Sequence, residues 1–281
     1  MNIRWTGLIP LPCMVAVFVG CTGYTARSAD QPEGSTITEF SYDLYADLLS
    51  DCVNAAGYVD YASLQKRSGE LDAFCTMLAA LDRTTYEAWS HEAQFAFWIN
   101  AYNACTLKAV VDHYPVKSIK DIGTPLRSVW DKLKFPVTGQ SYSLNDMEHR
   151  VLRETFKDPR LHMAINCASV GCPPLSNRPY QADTLNEHLA SQTRQFLSNE
   201  AAFRIDHDRG VVYLSRIFDW FGEDFLPNNR EEPPLPGLDE KTSATIRFIG
   251  RHLKPDEASF LTSRTPVKVK YLEYDWRLNK Q

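Results

Sequence analysis

The sequence predicts an α+β fold, with a helical N-terminal half packed on a mostly antiparallel sheet in a single domain. Three observations predict it. Helical apolar periodicity dominates residues 37–113, hairpin signals come only afterwards, and β-α-β-α alternation is weak. A length of 281 residues would by itself suggest two domains. No linker separates two cores, however, and the expected strands lie far apart in the chain, so one domain over residues 37–281 is expected.

The elements follow in order. Phe40–Val53, Leu71–Leu81 and Glu87–His113 read as helices, with Gly57–Tyr61 a short extended interruption. Phe95–Val111 is apolar almost all round, which predicts a buried central helix, and Pro115 ends it. Phe135–Val137 and Gln140–Leu144 flank Thr138-Gly139 as a hairpin. Asn145 with Glu148 three residues on has the form of a capping box opening a helix to about Phe156. Arg160–Asn166, apolar and bounded by Pro159, reads as a strand. Leu185–Leu197 reads as a helix, Phe203–Asp206 and Val211–Leu214 as a second hairpin, and Ser215–Phe225 as a helix. A Pro- and Asn-rich loop over 226–239, a helix over Thr242–Leu253 and a closing strand over Val267–Trp276 complete the chain.

Composition narrows the function classes. The net charge is −5, and no local Lys/Arg run supplies the basic footprint of a nucleic-acid binder, so no nucleic-acid partner is expected. Mean hydropathy is −0.34, and no apolar run reaches 18 residues, which excludes a multi-pass membrane protein. No phosphate loop, dinucleotide fingerprint, HExxH or G-x-S-x-G motif occurs, so no cofactor is expected.

Residues 1–20 combine Arg4 with a short apolar stretch from Leu8 to Val19, broken by Pro10 and Pro12, as in a secretory signal. Phe18-Val19-Gly20-Cys21 has the form of a bacterial lipobox, with Cys21 as the lipidated residue and membrane anchor. Thr22 follows it in place of the Asp that favours inner-membrane retention. Residues 21–36 are small and polar, as suits a tether. The expected location is the bacterial cell envelope, as an outer-membrane lipoprotein facing the periplasm. Of seven cysteines, Cys13 leaves with the signal and Cys21 carries lipid. Cys52, Cys75, Cys105, Cys167 and Cys172 remain, an odd number in a compartment that permits disulfides.

The most informative segment is Leu161–Leu175, where an apolar stretch runs into Cys167 and then a Gly/Pro loop carrying Cys172. A thiol displayed at such a strand end is a candidate nucleophile, and it needs a base. His149 sits early in the preceding helix, with Leu152 and Phe156 on its face. His162 lies an odd number of residues from Cys167, so a regular strand would put the two on opposite faces. Glu148, some 100° round the helix from His149, is expected to serve the cap. Asn100 and Asn103, in the otherwise apolar Phe97–Asn103 run, are candidates to orient the imidazole or donate to an oxyanion.

Phe97–Ala104, Tyr114–Ile119, Ser143–His149, Asn166–Leu175 and Tyr274–Asn279 together resemble the bacterial domain-of-unknown-function family 547. The resemblance runs in consistent order over nearly all of residues 45–279. Members of that family are often exported. The resemblance implies that Cys167, His149 and the Asn-bearing helix belong to one site, and it supplies no reaction. Papain-like and transglutaminase-like enzymes usually place the Cys before the His, whereas His149 precedes Cys167 here.

Two function classes stay open. In the first, Cys167 attacks an amide or ester of a small-molecule or peptide substrate, with His149 as base and Asn100 or Asn103 assisting. In the second, the chain is a non-catalytic binding module of the envelope whose loop is locked by a Cys167–Cys172 disulfide. Such a pair could also be redox-active. Zinc on His162, Cys167 and Cys172 does not fit a standard spacing. Cys52 and Cys75 could bridge the first helices. Asn100 and Asn103 as structural clamps, His149 as a core histidine and Tyr274-Asp275-Trp276 as an end-strand anchor are the corresponding structural readings.

Overall fold

Every residue from Phe95 to Val111 except Lys108 is buried, and the helix they form is the axis of a first core. The computed structural model describes residues 40–227, 232–262 and 267–281. The expected signal 1–20, the tether 21–36 and Cys21 lie outside the described residues. Helices α1 (Asp43–Cys52), α2 (Tyr61–Lys66), α3 (Ser68–Ala80) and α4 (Arg83–Glu87) lead into that axis, α5 (His91–Val111). Short polar side chains cap three of them. Asp60, Asp82 and Ser90 accept from the backbone N–H groups of Ser63, Thr85 and Ala93.

After α5 come a 3-10 turn (Ile119–Ile122), α6 (Val129–Lys132) and the hairpin of β1 (Phe135–Val137) with β2 (Gln140–Tyr142). A π-helical segment (Asp146–Phe156), the single turn α7 (Leu161–Ala164) and α8 (Leu185–Leu197) follow. The second half holds β3 (Phe203–Asp206), β4 (Val211–Leu214), α9 (Arg216–Trp220), a 3-10 turn (Gly222–Phe225), α10 (Glu240–Gly250), α11 (Pro255–Thr262) and β5 (Lys268–Tyr271). The fold is thus α+β, with helices in the N-terminal half and strands mainly in the C-terminal half. β3 and β4 pair antiparallel, Phe203 opposite Leu214, while β5 joins β4 in parallel, Val211 opposite Lys268.

Two expected elements differ. Arg160–Asn166 begins as a helical turn and not as a strand. Asp158 and Pro159 open it: the carbonyls of Asp158, Pro159 and Arg160 accept from the N–H groups of Leu161, His162 and Met163. Pro159 fits a helix start because it has no N–H to leave orphaned there. The capping box is also shifted. Asn145 is already helical and caps nothing. Ser143 and Asp146 make the reciprocal pair, Ser143 N to Asp146 Oδ2 at 2.9 Å and Asp146 N to Ser143 Oγ at 3.0 Å. Glu148 is therefore released from the cap. The closing strand is shorter than expected, because residues after Tyr271 leave the sheet.

Buried apolar side chains form two clusters. One surrounds α5 and takes in Leu161, Ala164, Ile165 and Leu175. The other joins the sheet, α9 and α10, and takes in Met163 and Phe225. The turn α7 thus contributes to both, and the segment after it runs along their seam.

That segment is held from outside by the C-terminal residues. Val170 N and Gly171 N donate to the carbonyls of Arg277 and Asp275 at 2.9 Å each, and Asn279 N donates to Ala168 O at 3.2 Å. Asn279 also accepts from Tyr61 Oη at 2.8 Å and donates to Asn166 Oδ1 at 3.2 Å. Gly171 permits this approach, since a Cβ there would sit 2.9 Å from Asp275 N and 3.0 Å from the Tyr274 ring. Gly57, at φ +80°, packs as closely on Pro174 and Leu175 from the other side. Gly171→Ala should therefore cost roughly 1–3 kcal/mol of stability in urea unfolding. It should also push the Tyr274 ring off the loop, read as a change in tyrosine fluorescence. An unchanged midpoint would show that the strap is not a tight fit.

Candidate functional site

A cavity of about 250 Å³ opens at the seam. Tyr102 and Ile165 line it from the first core, Ile217 and Phe221 from the second, and Trp130, Trp220, Tyr274 and Trp276 form an aromatic rim. Its polar wall is Glu148, His149, His162, Cys167 and Cys172. Trp220 is 48% exposed, so part of the rim faces solvent.

Cys167 sits just after the turn of α7, half-buried, and Ala168 behind it adopts φ +61°. A non-glycine residue in that region is held there by its surroundings. Here the hold is Asn166, whose Oδ1 accepts from Ala168 N at 2.7 Å and whose Nδ2 donates to Pro173 O at 2.8 Å. The bend brings Cys172 back onto Cys167. Their Sγ atoms lie 2.6 Å apart as two free thiols, and Cys167 N donates to Cys172 Sγ at 3.0 Å. Tyr274 Oη lies 3.1 Å from Cys167 Sγ and 3.0 Å from Cys172 Sγ. The contact with Cys172 is the main force lowering the Cys167 thiol below its ordinary value. Burial opposes it, and Tyr274 and Ser169 assist. Burial and the neighbouring sulfur push Cys172 well up. The two thiols are thus driven apart in acidity.

The histidines stand in a single ionic network. Asp224 accepts from Arg153 in a fork, Nε to Oδ2 at 2.6 Å and Nη2 to Oδ1 at 2.8 Å. His162 Nε2 lies 2.7 Å from the same Oδ2. Burial alone would raise Asp224, but His162 and Arg153 overcome it and hold the carboxyl well below the usual carboxylate range. Burial keeps His162 neutral, with its Nε2–H given to Asp224 and its ring stacked on Phe221 at 4.1 Å. The third guanidinium nitrogen of Arg153 lies 2.7 Å from His149 Nδ1. A guanidinium only donates, so His149 Nδ1 accepts and the neutral ring carries its proton on Nε2. Burial, then the Arg153 charge, lowers the His149 pKa and keeps it neutral.

Among the described residues Glu148 makes no ion pair. Tyr102 Oη donates to its Oε2 at 3.2 Å, and burial pushes its pKa up to about 7 against the pull of Tyr102 and Arg153. The π-helical register of Asp146–Phe156 presents Glu148 and His149 to the cavity and aligns Arg153 with His149. Such segments recur at functional sites.

Asn100 and Asn103 stand elsewhere. Asn100 bonds both backbone groups of Tyr180, Nδ2 to O at 2.8 Å and N to Oδ1 at 2.9 Å. Asn103 clamps Ala164 O and Asn166 N in the same way, at 3.0 and 2.9 Å. Neither lines the cavity; the Asn103 amide is occupied with backbone on either side of Ile165, just before Cys167, and the Asn100 amide with that of Tyr180. Cys75 faces Cys105 and not Cys52, and all three are free thiols. Among the described residues no group of three or more His, Cys, Asp or Glu side chains is placed to hold a metal ion.

Sequence reasoning did not reach Arg153, Asp224, Tyr102 or the placement of Tyr274 on the sulfurs. Arg153 carried one signal, its i+4 spacing from His149. Asp224 carried none, since it lies 71 residues from Arg153.

Residues 86–197 match the model of a family described as a protein of unknown function, DUF547. The resemblance read from the sequence therefore holds over that segment, which carries Tyr102, Glu148, His149, His162, Cys167 and Cys172. Asp224, Tyr274 and Trp276 lie beyond it. No curated protein and no solved structure matches the chain.

Two measurements check the electrostatics. Nitrogen-15 shifts of His149 should show the Nε2–H tautomer near pH 7, and Arg153→Met should release it to a tautomer mixture with a higher pKa. The Glu148 carboxyl stabilises the fold in its neutral form. That benefit is complete below the ordinary value of 4.5 and is lost as pH rises through about 7. Glu148→Gln should accordingly raise the unfolding free energy from urea titration at pH 8, by up to ~3 kcal/mol, and leave it nearly unchanged at pH 4. Equal effects at both pH values would show that Glu148 titrates normally.

Proposed function

We propose that the cavity is the site of thiol-dependent acyl transfer, hydrolysing or transferring the acyl group of an amide or ester, with Cys167 as nucleophile. The observation that carries this is one of contrast. In one cavity wall a thiol is held below its ordinary pKa while a carboxyl is held up to about 7. Titratable groups pushed apart in this way suit opposite proton-transfer roles. The Cys167 thiolate attacks the carbonyl carbon, and the developing oxyanion takes a hydrogen bond from His149 Nε2–H. Protonated Glu148 gives its proton to the leaving nitrogen or oxygen, forming a thioester. Water or an acceptor then attacks the thioester, and Glu148 recovers the proton.

His149 is thus assigned as a donor in place of the base expected from the sequence, because Arg153 occupies its lone pair. Asn103 becomes a positioning residue, and Asn100 a clamp on the backbone of Tyr180. The substrate is a small molecule or peptide with an apolar or planar group that the aromatic rim can cover. We place the reaction in the bacterial envelope, on a protein lipidated at Cys21 and facing the periplasm. That placement rests on the pattern of residues 1–36 and is tested by whether Cys21→Ala releases the protein from membranes.

Alkylation of Cys167 by iodoacetamide should proceed well below the pH that an ordinary thiol of pKa about 8.5 requires. Cys172→Ala should move that profile up by removing the stabilising contact. With an ester or amide probe, Cys167→Ser should lose about 10²-fold or more in rate, and Glu148→Gln should remove the fall in rate above pH 7. A Cys167 that alkylates only as an ordinary thiol would instead favour a non-catalytic binding module.

A further inference from the structure

The acyl-transfer proposal uses Cys172 only as a hydrogen-bond donor, which leaves most of its placement without a role. Three features concern Cys172. Its sulfur lies 2.6 Å from that of Cys167, five residues away, across a bend that Asn166 and the C-terminal strap already hold. Its surroundings push its pKa up while the Cys172 contact lowers that of Cys167. It also lines a second space, of about 260 Å³, on the far side of the loop, together with Asn166, Ser169, Gln195, Ser198 and Asn279. The Cys167–Cys172 loop is therefore a wall between two cavities, with Cys167 facing the aromatic one and Cys172 reached from both.

We propose that Cys167 and Cys172 are a thiol–disulfide exchange pair, with Cys167 the attacking and Cys172 the resolving sulfur, and a small or peptide disulfide as the oxidant. The Cys167 thiolate attacks one sulfur of the disulfide, the S–S bond breaks, and one thiolate leaves. That thiolate takes the proton of Cys172. The Cys172 thiolate then attacks Cys167 Sγ, the mixed disulfide breaks, and the second thiolate departs, taking from water the proton that Cys167 had released on ionising. In sum, two cysteine thiols are oxidised to one intrachain disulfide and one disulfide is reduced to two thiols.

The geometry serves both steps. Tyr274 Oη reaches both sulfurs and can donate to whichever carries the charge. Cys167 N–H already points at Cys172 Sγ and stabilises it as it becomes the nucleophile. Closing the pair needs the sulfurs to approach by about half an ångström, since the bond is about 2.05 Å long. The bend required is the one present, so little backbone order has to be added. Closure also removes the Cys167 thiolate, so the same step would switch off the acyl chemistry. The exchange activity and the acyl activity share Cys167 but differ in their need for Cys172.

The test is mass spectrometry of the folded protein after incubation with oxidised glutathione and acid quenching. The wild type should lose two hydrogens, and peptide mapping should join Cys167 to Cys172. Cys172→Ser should instead accumulate the mixed disulfide with glutathione on Cys167, and Cys167→Ser should form neither. Tyr274→Phe should slow closure at least several-fold and shift its pH profile upward, a change that loss of packing alone would not give. A wild type that stops at the mixed disulfide would overturn the exchange pair while leaving Cys167 as a nucleophile. A Cys167 inert to both glutathione and iodoacetamide would overturn both proposals.

Discussion

Asp224 is the point at which the two cores are joined. It lies on the turn after α9, among the second apolar cluster, and reaches back to Arg153 of the π-helical segment and to His162 of α7. The fork with Arg153 fixes both carboxylate oxygens, and such paired, charge-assisted bonds hold orientation as well as distance. The pair is only partly exposed, 26% for the Arg153 side chain and 23% for Asp224. Removing one partner would therefore strand a charge in a poorly hydrated seam, which is far more costly than the pair is stabilising. The clasp closes the seam beside the cavity, where α7 already contributes side chains to both clusters.

From that clasp the rest of the site follows. With two of its nitrogens on Asp224, Arg153 has one left, and it is given to His149. The imidazole is thereby fixed in tautomer and kept neutral. Glu148, next to it, receives no guanidinium and keeps only the Tyr102 hydroxyl. Adjacent residues thus stand in different states, an imidazole that Arg153 and burial keep neutral and a carboxyl whose pKa burial raises against the pull of Arg153. Neither state depends on the sulfurs, which are tuned by Cys172 and Tyr274 from the other wall.

Much of this was legible in the sequence where the signal was local. The buried axis showed in the unbroken apolar run Phe95–Val111, the hairpins in Thr138-Gly139 and Asp208-Arg209-Gly210, and the reactive loop in Cys167 and Cys172 across Gly171-Pro173. The family resemblance tied His149 to Cys167. What was not legible was set by competition or by distance. Ser143 and Asp146 outcompeted Asn145 and Glu148 for the same cap, and that shift of two residues turned Glu148 from a capping group into a cavity acid. Asp158-Pro159 started a helical turn where a bounded apolar run suggested a strand, which removed the alternation argument against His162. Asp224 and Tyr274 reach the site from 62 and 107 residues away, separations over which no pattern in one sequence carries information.

The placement of reactive groups at a seam also explains why the site is costly to the fold and yet stable. A buried carboxyl with a raised pKa, a strained Ala168 and a pair of crowded sulfurs each work against folding. The strain at Ala168 and the sulfurs is held by a set of buried amides and by the C-terminal strap. Asn103 and Asn166 bind the backbone on both sides of Cys167, Asn279 anchors that pair to Tyr61, and the C-terminal strap bonds Val170 and Gly171. These amides are buried, and their donors and acceptors find partners in one continuous network, so the network is rigid. Loosening it would relieve strain at Ala168 and let the sulfurs separate, which would return Cys167 toward an ordinary thiol. Of the two asparagines expected to take part in the chemistry, Asn103 therefore acts on it through the backbone. By fixing, with Asn166 and Asn279, where Cys167 stands relative to Cys172, it sets how acidic Cys167 is.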